Sequence, residues 1–113
     1  MVTQRKINIP IFDYKLTIII TDTWDEVRNR LPDTNINLNS ARAITMSNRD
    51  IGGSIVAVLS DCLSSVVHEC VHIKNGIWNY IGYRPQADND EVDAYLITYI
   101  YERIMEVFRK HNS

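Results

Sequence analysis

The chain has 113 residues, of which 45% are hydrophobic, enough for one modest core and a single domain over residues 1–113. Its formal charge of -2 is spread without a block of either sign, which argues against a nucleic-acid or anionic-membrane surface. Its apolar runs are short and broken by polar residues, so no segment is expected to span a bilayer. Asn8, Pro10, Asp13 and Lys15 interrupt any signal-peptide pattern, which makes the cytoplasm the expected compartment.

Ile7, Ile9 and Ile11 alternate with polar residues over 6–12, a strand pattern in which Pro10 suits an edge position or a break. The β-branched stretch 15–21 is a second strand or a continuation of the first, with Phe12-Asp13-Tyr14 as the turn. Thr23-Trp24-Asp25-Glu26 fits a capping box, so a short helix over 24–31 is expected to follow and to end at Pro32. Residues 33–40, rich in Asn, Asp, Ser and Thr, read as loop. Residues 42–47 and 55–59 read as strands, paired as a hairpin about the turn cluster from Asn48 to Gly53. Ser60 or Asp61 is expected to cap a long helix running to about Tyr80 and broken by Gly82 and Pro85. After a polar loop over 84–89, a last helix is expected from Asp90 to Lys110. Acidic residues fill its first turn and Arg109, Lys110 and His111 its end, which complements the helix dipole. Trp78 and Tyr80 are expected to pack against it. The order of elements gives an α+β domain with helices packed on a small sheet.

The chemistry concentrates at His68-Glu69-Cys70-Val71-His72, an HExxH sequence inside the first long helix. Residues four apart share a helical face, so the two imidazoles point at one cation. Zinc accepts imidazole nitrogen and keeps an open position in catalytic sites. Glu69 flanks that face, where a general base stands to take a proton from water. Cys70 points away from it and reads as a small buried residue. Cys62 and Cys70, if on one helix, lie about 12 Å apart along its axis, too far for a disulfide.

Two imidazoles do not complete a zinc site. The positions three and six residues after His72 are Asn75 and Trp78, which do not fit a glycine-histidine completion, and the remaining His111 reads as a solvated residue near a helix end. A carboxylate at the start of the last helix remains: Asp88, Asp90, Glu91 or Asp93.

His68-Glu69-x-x-His72, followed by Glu91-x-x-Ala94 at a helix start, resembles the gluzincin class of zinc metallopeptidases. More loosely, the short chain is similar to small phage-encoded or phage-repressor-associated metallopeptidases. The resemblance implies a minimal zincin-like domain: a small sheet, a short N-terminal helix, an HExxH active-site helix and a long C-terminal helix. It implies Zn2+ held by His68, His72 and Glu91, with Ala94 letting the two helices approach. Val71 departs from families that carry glycine there, and Asp93 competes with Glu91 for the ligand role. The two point about 200° apart on a helix, so only one faces the metal. The implied activity is hydrolysis of a protein or peptide substrate by an endopeptidase, with Glu69 as general base. A tyrosine hydroxyl would stabilise the oxyanion, Tyr95 ahead of Tyr80 and Tyr83. The substrate would lie along a sheet edge, for which the hairpin 42–59 is the candidate. No nucleic-acid or membrane partner is implied. A second reading is a binding or regulatory protein on the same scaffold, since a chain this short has few loops from which to build specificity pockets.

Overall fold

Two hairpins and two long helices make up the α+β fold of the computed structural model, which describes residues 1–32, 37–50 and 52–113. The strands are β1 (Val2–Ile9), β2 (Tyr14–Thr21), β3 (Ala43–Asn48) and β4 (Gly53–Leu59); the helices are α1 (Ser65–Ile81) and α2 (Glu91–His111). The sheet order is β1-β2-β4-β3. β1 and β2 pair antiparallel, as do β3 and β4, and the two hairpins join through a parallel β2–β4 pair running from Lys15↔Gly53 to Thr21↔Leu59.

The central strands are apolar on both faces because both faces are covered. Leu16, Ile18, Ile20, Val56 and Val58 face the helices, meeting Val66, Cys70, Ile73 and Ile77 of α1 and Leu96, Ile100, Ile104, Val107 and Phe108 of α2. Ile19, Ala57 and Ile44 point the other way and are covered by Trp24, Val27 and Leu38. α1 lies over β3 and β4, α2 lies over β1 and β2, and the helices pack side by side. Gly82, at φ +76, lets the chain leave α1, and the Tyr83 N–H donates to the Trp78 carbonyl at 2.9 Å. Among the described residues, no helix is long and apolar enough to cross a membrane.

Five expectations need correction. No helix spans 24–31; the segment forms two 3-10 turns, Trp24–Glu26 and Arg28–Arg30. The cap interaction exists, with the Thr23 N–H and hydroxyl donating to Glu26 Oε2 at 3.1 and 2.8 Å. The tighter winding puts residues three apart on one side, which aims both Trp24 and Val27 at the sheet, and the Trp24 indole N–H donates to the Ala41 carbonyl at 2.9 Å. Ile11 does not continue the face of Ile7 and Ile9. The strand stops before Pro10, and Ile11 sits in the turn at φ +76, 96% exposed. α1 begins at Ser65, not at Ser60 or Asp61, because Ser60 is held to the end of β2: its N–H donates to the Thr21 carbonyl and its hydroxyl to Asp22 Oδ1. Tyr80 packs over Gly52 and beside Tyr14 instead of on α2. His111 is not solvated: it is 5% exposed, with Nδ1 at 2.9 Å from Thr3 Oγ1 and Nε2 at 2.8 Å from Asp22 Oδ1. It ties the end of α2 to the sheet. The expected loop over 33–40 lies partly outside the described residues, as does position 51 of the turn cluster before β4.

Candidate metal centre

α1 seats Val66, Cys70, Ile73 and Ile77 on the sheet at helical spacing, which fixes the rotation of everything else on it. That rotation leaves His68 and His72 exposed toward β3, with Nε2 atoms 3.1 Å apart and rings at 73° to one another. Zinc–nitrogen bonds of about 2.05 Å at a tetrahedral angle would put two ligand nitrogens about 3.3 Å apart, so the pair has the spacing that a shared cation requires. A hydrogen bond between two neutral imidazoles has a similar length, one ring donating and the other accepting.

Glu69 differs from the two imidazoles in being buried, at 4% exposure. Its Oε1 accepts the Thr45 hydroxyl of β3 at 2.8 Å, and its Oε2 lies 4.0 Å from His68 Nε2. One carboxylate oxygen is thus fixed by the sheet while the other stands beside the imidazole pair. Both imidazoles and Glu69 open on a cavity of about 610 Å³ that β3 walls with Thr45 and Ser47 and α1 extends through Asn75 and Asn79. Gly76 lies on the same wall. A Cβ there would stand 2.7 Å from Ser47 Oγ and 2.9 Å from the Tyr14 hydroxyl oxygen, so only glycine lets α1 approach the strands this closely. Those hydroxyls form a chain, Tyr14 to Ser54 at 2.6 Å and Ser54 to Ser47 at 2.7 Å. Cys70 is fully buried beneath the site, and burial pushes its thiol up to about 12. Both Cys62 and Cys70 carry free thiols.

The structure brings His68, Glu69 and His72 together; it does not bring Glu91 or Tyr95 to them. Glu91 is the exposed first residue of α2 and does not line the cavity. Tyr95 is 73% exposed and also lies outside it. Among the described residues, no three His, Cys, Asp or Glu side chains are placed to hold one metal ion together. Asp88 and Asp90 are exposed ahead of α2. Asp93 is already engaged: Oδ2 accepts from Lys74 Nζ at 3.2 Å and Oδ1 accepts from the Trp78 indole N–H. Tyr83 lies against Trp78, with ring centroids 4.6 Å apart and the planes tilted by 52°. Sequence reasoning did not reach Thr45, because a hydroxyl in a strand carries no mark of a carboxylate 24 residues further on. The glycine at 76 inside an otherwise regular helix was the legible hint of close packing on this wall.

No protein-family model matches this chain, and no match was found among the curated proteins or the solved structures.

Proposed function

We propose that the chain is a zinc-dependent metallopeptidase. One observation carries the reading: two imidazole nitrogens at metal-sharing distance stand beside a buried, sheet-anchored carboxylate in a cavity that an edge strand borders. His68 and His72 would hold the ion; Glu91, the third ligand expected from the sequence, does not reach them. Zinc supplies a Lewis acid that acidifies a water and polarises a carbonyl. Glu69 would take a proton from the attacking water at Oε2 while Thr45 holds Oε1; as the water oxygen bonds to the carbonyl carbon and the carbon–nitrogen bond breaks, Glu69 would pass that proton to the departing amine. β3 lies at the edge of the sheet, the position from which a strand can pair with an extended peptide. Such a peptide would run past Thr45 and Ser47 and cross in front of the imidazoles.

The test is metal analysis of the purified chain together with hydrolysis of an unfolded protein substrate. About one zinc per chain is expected. Glu69→Gln should keep the metal and lose at least about a hundredfold in rate, the usual scale for a general base. His68→Ala or His72→Ala should lose the metal. A chain that binds no zinc, or whose hydrolysis ignores chelators, would rule the proposal out. The convergence of only two imidazoles among the described residues favours a second reading, a non-catalytic binding protein on this scaffold. Its signature is a biological activity that Glu69→Gln leaves intact.

A further inference from the structure

We propose that the half of the sheet's second face bordered by Lys6, Lys15, Pro32 and Arg49 binds a small anionic molecule, a phosphate or carboxylate group on a short apolar body. The inference is independent of the metallopeptidase reading, because this cavity lies on the side of the sheet away from α1.

The strand register lays side chains on that face in rows across all four strands. The row holding Ile19, Ala57 and Ile44 is covered by Trp24, Val27 and Leu38. The next two rows floor a cavity of about 740 Å³: Lys6, Thr17, Ile55 and Met46, then Asn8, Lys15, Gly53 and Asn48. That volume falls within the ~300–1,000 Å³ of small-ligand sites.

The composition of the lining sets the ligand's chemistry. Lys6, Lys15 and Arg49 all border the cavity, and no carboxylate does among the described residues, although the chain as a whole carries -2. All three are exposed, and positive charges along one lining raise a potential that favours an anion. Asn8 and Asn48 add neutral amide donors at the ends of their row. Met46 and Ile55, both half-buried, supply an apolar patch beside the charges. Gly53 in the middle of its row keeps the floor low. A Cβ there would also stand 3.1 Å from the Lys15 carbonyl oxygen.

The experiment is a 15N–1H correlation titration of the full chain with phenyl phosphate in one arm and phthalate in the other, each against sodium chloride at matched ionic strength. The expected result is saturable shifts at the amides of Lys6, Asn8, Lys15, Thr17, Gly53 and Ile55 in at least one arm. Lys15→Gln and, separately, Arg49→Gln should weaken that binding about tenfold, the scale of one charge-assisted hydrogen bond. Saturation by phenyl phosphate alone assigns a phosphate ligand, and saturation by phthalate alone a carboxylate. Saturation by both assigns recognition by charge and apolar contact. Shifts that stay linear, match the chloride control, or centre on Arg109 and Lys110 overturn the proposal.

Discussion

Thr45 of β3 donates its hydroxyl to Oε1 of Glu69 on α1 at 2.8 Å. The contact joins an edge strand to the buried carboxylate beside the imidazole pair and leaves the other oxygen turned toward His68. A buried carboxylate without a donor is costly, so this bond sets the orientation of Glu69 as well as stabilising it.

Thr45→Val keeps the shape and removes the donor. Stability should fall by about 1–3 kcal/mol, the scale for stranding a buried acceptor. On the proposed peptidase reading, kcat falls at least about tenfold while bound zinc is unchanged, and Thr45→Ser restores most of it. Urea unfolding, metal content and turnover measured on the same preparations check all three. Unchanged turnover in Thr45→Val would mean that Glu69 needs no positioning.

Asp93 holds α2 to α1 through Lys74 and Trp78, and Lys74 and Asp93 are only 10% and 19% exposed at their side chains. Asp93→Ala strands the Lys74 ammonium and the indole N–H together. The expected cost is about 3 kcal/mol, as when one partner of a buried ion pair is removed. Adding Lys74→Met should recover most of the loss, because the uncompensated charge is then gone. Chemical denaturation of the single and double variants tests this, and additive losses would contradict it.

Gly76→Ala sets two effects against each other. Alanine favours the helix by about 1 kcal/mol. Its Cβ meets Ser47 Oγ at 2.7 Å and the hydroxyl oxygen of fully buried Tyr14 at 2.9 Å, and overpacking of this kind costs about 1–3 kcal/mol. The clash should win because Tyr14 has nowhere to go, and α1 should shift from β3. Tm should drop, and Ser47→Ala in the same chain should return part of it.

The His111 hydrogen bond, then those of Ser60 and the Met1 amino group, hold Asp22 well below the usual carboxylate range. Glu26 is lowered by the same amino group and by Thr23. Carboxylates whose folded values lie below their unfolded ones contribute stability that is fully present above about pH 4 and is lost as pH falls through the folded values. Tm should therefore decline steeply below about pH 4, and Asp22→Asn should flatten that arm. Equal acid slopes for the two chains would contradict the assignment.

The strands and the two long helices were legible because periodicity and breakers are local: the β-branched run at 15–21, the hairpin over 42–59 and Gly82 all act within a few residues. The two apolar central strands did not reveal which of them would be neighbours, since a parallel pair leaves no turn signal between its members. Likewise a capping box announces that a helix starts, not that it stops after one turn to aim Trp24 and Val27 at the sheet. His111 was misread because Thr3 and Asp22 lie 108 and 89 residues away, and only the fold brings them to it. At the candidate site, the i, i+4 spacing gave the imidazole pair directly. The engagement of Asp93 with Lys74 and Trp78 depends on how two helices meet, which neither helix's own pattern records.

The parallel β2–β4 pair has a consequence for how the molecule assembles. Each hairpin closes over a short loop, whereas the pair between them closes only after the intervening chain has been ordered, so it should be the slow step in folding. Each helix lies over one hairpin, so the fold reads as two hairpin–helix units joined along the parallel pair. His68, Glu69, His72 and Thr45 all belong to one unit, and Glu91 begins the helix of the other. A metal held by the two imidazoles would rest on one unit alone, so amide exchange in α1 and β3 should slow more than exchange along β1 and β2 when zinc is added.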